Sequence, residues 1–92
     1  MYETIDEPIK VLATFERGVI TPHKFKWRSR TIEIDKVNLI HRVKDGSVLC
    51  YLFSVSNRTC AYKLKFNAAT MSWTLDQIYA DETKDLGLRI ED

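Results

Sequence analysis

Seven consecutive residues, Lys24-Phe25-Lys26-Trp27-Arg28-Ser29-Arg30, interleave basic side chains with aromatic ones. Single-stranded nucleic acid is commonly held by such a mixture, with rings stacked on bases and Lys or Arg set against phosphates. At a period of two, however, Phe25 and Trp27 fall on one face and Lys24, Lys26 and Arg28 on the other. That is also the layout of an ordinary core strand, whereas a stacking platform needs ring and cation accessible together. Phe25 and Trp27 are therefore expected in the core, with Arg28 and Arg30 exposed at a hairpin tip. Lys63 and Lys65 face outward by the same parity. Lys24, Lys26, Arg28, Arg30, Lys63 and Lys65 make up the candidate patch for an anionic ligand or nucleic acid. The sequence leaves open whether the two lysine pairs occupy adjacent strands.

Nucleophilic catalysis would need Ser, Cys or Thr beside a His, and a third group to orient that base. His41, Cys50 and either Asp35 or Asp45 can be assembled on paper, but no spacing selects them. His41 falls with Leu39 and Val43 on an apolar face and is expected to be half-buried and structural. His23 follows Pro22 and is expected to begin a strand. The two cysteines, Cys50 and Cys60, form no C-x-x-C, so the paired ligands of a structural zinc site are missing. No glycine-rich phosphate loop, H-E-x-x-H or Walker pattern occurs. The acids gather toward the termini rather than in a candidate cleft. The expectation is a protein that is not an enzyme and holds no cofactor or metal.

The elements that must position these residues are strands. Alternation is clear in Ile9-Val11-Ala13-Phe15, His23-Phe25-Trp27, Ile32-Ile34, Val37-Leu39-His41-Val43, Tyr62-Leu64-Phe66 and Met71-Trp73-Leu75. Turn signals separate the runs: Arg17-Gly18, Asp45-Gly46, Asn57-Arg58 and Asn67-Ala68-Ala69. Residues 48–55 are apolar on both sides, with Leu49, Tyr51, Phe53 and Val55 on one face and Val48, Cys50 and Leu52 on the other. Such a strand is normally central and covered twice. In so small a chain the second cover is a curled sheet, the N-terminal strand or another subunit. The fold expected is all-β: a small antiparallel meander of six or seven strands curled into a half-open barrel. Helix is short or absent; the one candidate, residues 76–85, first continues the last strand and then becomes a turn or tail. With Asn57-Arg58-Thr59 as a short turn, Val55 lies near Cys60 and Cys50 near Lys65. That register holds the sulfurs too far apart for a disulfide, as in two reduced thiols of a cytoplasmic protein.

The chain has 92 residues, 45% hydrophobic and 29% charged, with a formal net charge of +1. That suits one small domain spanning residues 1–92, with an ordered body over about 8–80 and mobile acidic termini. No stretch approaches the ~20 apolar residues of a membrane span, and no signal segment is evident. The small net charge hides an asymmetry. Residues 1–16 carry one Lys and four acids, residues 17–65 eleven bases and three acids, and residues 66–92 two bases and six acids. A basic body with acidic ends could attract an anionic partner, although lysines also protect strand edges from unwanted pairing.

The order Glu7-Pro8-Ile9-Lys10-Val11, Pro22, Phe25-Lys26-Trp27-Arg28-Ser29-Arg30, Ile32, Ile34, Val37, Ala61-Tyr62-Lys63-Leu64 and Trp73-Thr74-Leu75, ending in Ile78-Tyr79-Ala80-Asp81, resembles a family of small bacterial domains of unknown function. That family follows an EPI-V … P-x-x-F-x-W-R-G-R-x-Y-x-V-x-x-V … Y-x-L … W-x-L pattern, and the resemblance covers about residues 6–81. It implies no catalytic signature, and some members of the family are linked to proteins of translesion DNA synthesis. Two departures stand out. Ser29 takes the place of the turn Gly, which implies strain if that position needs a positive φ. Ile32 takes the place of an aromatic, which removes a candidate stacking ring.

Two roles follow as expectations. The first is a protein-interaction or accessory module that meets an unknown protein partner or a second copy through the strand carrying Val48, Cys50 and Leu52. The second is a nucleic-acid-binding barrel using the six bases named above, with the link to DNA repair or translesion synthesis that the resemblance implies. No membrane role is expected.

Overall fold

A computed structural model describes residues 2–80. Seven strands account for most of them: β1 (Tyr2–Glu16), β2 (Val19–Trp27), β3 (Arg30–Glu33), β4 (Lys36–Asp45), β5 (Val48–Ser56), β6 (Cys60–Asn67) and β7 (Ser72–Ala80). No helix occurs among the described residues, so none there is long and apolar enough to cross a membrane. The spatial order is β3-β2-β1-β7-β6-β5-β4, with every neighbouring pair antiparallel. Consecutive strands are neighbours except β3 and β4, which form the two edges, while β1 joins β7 on the far side. The result is an up-and-down barrel left open between β3 and β4.

β1 links the two parts of this half-barrel. Its first part, to Ile9, pairs with β7; its second part, from Lys10 to Glu16, pairs with β2. The strand begins well before the ordered body expected from the sequence, because residues 2–7 belong to it. A bulge between Thr4 and Glu7, with Asp6 at φ 54°, breaks the alternation there and hides the strand. The expected fraying of residues 84–92 and the far end of the 76–85 segment lie outside the described residues.

The inward faces converge on Phe25, Ile32, Phe53, Val55, Tyr62, Leu64, Phe66, Trp73 and Leu75. Phe53, Leu64 and Leu75 are fully buried, and each such side chain contributes ~1.5–3 kcal/mol relative to exposure. The aromatic rings interlock: Phe66 and Trp73 lie 4.8 Å apart, and Phe53 and Trp73 5.3 Å. Phe25 of β2 meets Tyr62 of β6 edge to face at 5.3 Å and ties the two walls together.

β4 departs from its simple reading. A register shift between Val37 and Leu39 turns the strand over: Val37 faces Val55 inside, but Leu39 sits beside Ser54 outside. A one-residue bulge moves every later side chain to the opposite face. Leu39, His41 and Val43 therefore face outward and Ile40 faces inward, the reverse of the expected pattern. His41 is exposed rather than half-buried, and Leu39 is 59% exposed. Met71 also leaves its expected face; it lies in the turn before β7 at φ 58° and is exposed.

The turns show why the hairpins close where they do. Arg17 (φ 52°) and Gly18 (φ 78°) have the paired positive φ of a tight hairpin, which glycine adopts at little cost. Arg28 (φ 51°) and Ser29 (φ 65°) take the same form with side chains at both positions. Asn57 accepts hydrogen bonds at Oδ1 from the Thr59 and Cys60 amides, and its Nδ2 donates to the Glu33 carbonyl at 3.0 Å. One side chain thus shapes the β5–β6 turn and stitches it to the end of β3 across the opening.

Candidate functional site

The basic hairpin is built around Glu7. Trp27 Nε1–H donates to Glu7 Oε1 at 2.8 Å, Arg28 Nε–H to the same oxygen at 3.1 Å, and Arg28 Nη2–H to Oε2 at 2.5 Å. The guanidinium also lies over the Trp27 ring, 4.6 Å from its centroid. The Arg28 bonds, then the Trp27 N–H, hold the Glu7 carboxyl below its ordinary range. Arg28 is thus exposed at a hairpin tip, as expected, but its fork is already filled by a carboxylate. Phe25 is core, and Trp27 is half-buried with its N–H spent on Glu7.

The six candidate bases do not form one surface. Lys24 and Lys26 point outward from β2. Arg30, paired with Trp27 across the β2–β3 ladder, lies at the opening instead, where it lines a cavity of about 380 Å³ with Glu33, Asp35, Asn57, Arg58 and Tyr62. Lys63 and Lys65 are on the outer face of β6, and β1 and β7 separate them from β2. Lys65 Nζ pairs with Asp45 Oδ2 at 3.6 Å. A residue the sequence reading passed over, Lys10, lies between these groups: it stands directly opposite Lys26 across the β1–β2 ladder. Its place follows only from register, which a single alternating run does not reveal.

The strand carrying Val48, Cys50 and Leu52 is β5. Those residues do face outward, yet β4 and β6 both pair with β5, so its backbone has no free side. Cys50 is 1% exposed. Its outer-face neighbours by register are Val43 and Asn67, and the Lys65–Asp45 bridge spans β5 on the same face. Val48 and Leu52 are half-buried. The accessible strand is its neighbour β4, ten residues long, paired on one side only and with Leu39 and Ile40 exposed. Ile40 lines a small cavity of about 110 Å³ with Gly18, Val19, Ile20, Tyr51 and Phe53, at the mouth between β2 and β4.

The groups considered for catalysis are dispersed. His41 pairs with Leu52 and Cys50 with Val43, so His41 and Cys50 are diagonal rather than direct partners. His23 lies within β2, not at its start, and its Nε2 is 3.0 Å from Thr14 Oγ1. Cys50 pairs with Asn67 and Cys60 with Ala80, at opposite ends of β6, and both thiols are free. No cluster of three or more metal-ligating side chains occurs among the described residues. A second acid is perturbed by its setting: Asp76 sits at the register shifts that β7 shares with β1 and β6, and burial pushes its carboxyl above the usual range. Lys65 opposes that shift, nearby Asp6 reinforces it, and Lys63 opposes it.

No protein-family model, no curated protein and no solved structure matches this chain.

Proposed function

We propose that the protein is a non-catalytic binding module that receives an extended, acidic segment of another protein along the free edge of β4. The observation that carries this reading is the ten-residue edge strand itself. Its unpaired N–H and C=O groups are a template for one more strand, and strand addition is a recurrent mode of peptide recognition. Ile40 and Val19, which line the small cavity at the mouth, are both exposed and offer a place for the segment's alternate residues. Lys36, Arg42 and Lys44 outnumber Asp45 along the strand, so charge favours an acidic guest and disfavours a second β4.

A labelled peptide of alternating Glu and Val tests this reading. Binding is expected, with β4 amides gaining protection from hydrogen exchange and the double substitution Arg42→Glu, Lys44→Glu abolishing it. Protection on another strand, or a dimer in sedimentation that Leu39→Glu splits, would overturn it.

A second reading, nucleic-acid binding, is supported by a different surface: among the described residues, the outward lysines of β1 and β2 form no ion pair.

A further inference from the structure

Lys10 and Lys26 are direct cross-strand partners, and both point outward, because their neighbours Val11 and Phe25 pair on the inner face. Directly opposed side chains in an antiparallel ladder have Cβ atoms about 4.5–5.5 Å apart, and like charges there are destabilising. Lys24 follows on the same face, opposite Leu12. The nearest acid in register, Glu33 opposite Lys24, forms no ion pair with it, and among the described residues none of the three lysines is paired. Three positive charges thus crowd one small face that the fold does not neutralise.

The surface around them has a direction. An open groove of about 310 Å³ is lined by Lys10, Leu12, Lys24, Lys26 and Thr31. A second, of about 340 Å³, is lined by Pro8, Lys10, Lys26 and Ser29. The Lys10–Lys26 pair lines both grooves, so the two make a furrow with lysines along it and one hydroxyl of the β2–β3 hairpin in each groove. Leu12, 58% exposed, contributes an apolar patch beside Lys24. The furrow suits a linear polyanion better than a compact ion.

We propose that this furrow binds the phosphate backbone of a nucleic-acid strand, with Lys10 and Lys26 as the central contacts and Lys24 as the third. The proposal rests on the nucleic-acid reading and names its site and ligand chemistry. Phosphates are commonly met by Lys together with Ser or Thr, and these contacts position a strand without reading its sequence. Carboxylates are better matched by the planar fork of Arg, and the nearby fork, Arg28, is held by Glu7. Phe25 is buried and Ile32 faces inward, so the face offers no ring on which bases could stack. Binding is therefore independent of sequence and governed by salt.

The test is fluorescence anisotropy with labelled single- and double-stranded oligonucleotides over a range of salt, using the full chain. Dissociation constants in the range of about 10⁻⁴–10⁻⁶ M are expected. Three lysine contacts predict that log affinity falls against log salt with a slope of about −2 for a single strand and just under −3 for a duplex. The larger affinity identifies which form the furrow accepts.

Lys10→Glu separates function from stability. It places opposite charges across the ladder, so the thermal midpoint is expected to hold or rise while binding falls at least tenfold. Arg17→Glu makes the same change in net charge at the exposed β1–β2 turn and is expected to leave binding within twofold once the salt dependence is matched. Equal losses from Lys10→Glu and Arg17→Glu would overturn the proposal, because net charge alone would then explain binding. So would equally effective competition by polyglutamate. Oligonucleotide binding that Lys10→Glu leaves intact removes this site but keeps the broader reading. No binding at low salt removes both.

Discussion

Glu7 and Arg28 lie 21 residues apart, yet the carboxylate and the guanidinium meet through two hydrogen bonds of 3.1 and 2.5 Å. The pair fastens the tip of the β2–β3 hairpin to the bulged part of β1. The Trp27 indole donates to the same carboxylate, so one acid orders the hairpin's ring, its cation and its strained turn together.

The strain in that turn is measurable. Arg28 and Ser29 both hold positive φ, a conformation that costs a residue with a side chain roughly 1–2 kcal/mol. Ser29→Gly is expected to raise stability by about 1 kcal/mol and the thermal midpoint by about 4–8 °C, read by circular dichroism. Ser29→Val, β-branched at the same φ, should lower it. A fall with Gly would show that the serine side chain contributes more than its backbone costs.

The Glu7 carboxyl is held below its ordinary range, first by Arg28 and then by Trp27. Its stabilising effect is therefore full above the unfolded-state value and is lost as pH falls through the lower folded-state value. Glu7→Gln lacks that dependence. The wild-type protein should melt higher than the variant near neutrality, and the two should converge once pH has fallen through the lowered folded-state value. The Trp27 indole N–H resonance should shift over the same low range in the wild type only.

Asp76 has the opposite sign. Burial raises its folded-state value, so its neutral form favours folding fully below the unfolded value and that benefit is lost as pH rises through the folded value. Once pH has risen past that value the charged carboxylate weakens the fold. Asp76→Asn is expected to melt higher than wild type at neutral pH and to match it near pH 3. A lower midpoint for the variant at neutral pH would show that the Lys65 and Lys63 charges outweigh burial.

The bulge in β4 predicts a contrast between two leucines. Leu64 is fully buried, and Leu64→Ala is expected to cost about 2–5 kcal/mol. Leu39 is 59% exposed, and Leu39→Ala should stay within about 0.5 kcal/mol of wild type in urea unfolding. A large loss at Leu39 would mean that the strand packs without its bulge.

Where strict alternation continues, the sequence is a good guide. Tyr62, Leu64 and Phe66 read as an inward row, and they are one. The half-open barrel also follows from local signals, because its hairpins are joined by turns the chain announces. Irregularities are what period-two reading misses. The bulge after Val37 reverses His41 and Leu39, and the positive φ of Asp6 conceals the first part of β1. The candidate site was only half legible for the same reason. Lys24 and Lys26 are visible as a pair, but Lys10 joins them through a pairing sixteen residues away, which nothing local encodes. Arg28 looks free in sequence and is bound in space, because its partner lies on another strand.

The double membership of β1 sets an order of events during synthesis. Its pairing with β2 uses residues close along the chain and can form early, as a local hairpin. Its pairing with β7 joins Tyr2 to Tyr79 and Ile9 to Trp73. Nearly the whole domain must leave the ribosome before the first strand finds its second neighbour. Until then residues 2–9 carry an open strand edge beside a half-built core, the kind of surface on which nascent chains associate. For this fold the vulnerable interval is therefore translation itself, and a slow last stretch of synthesis would lengthen it.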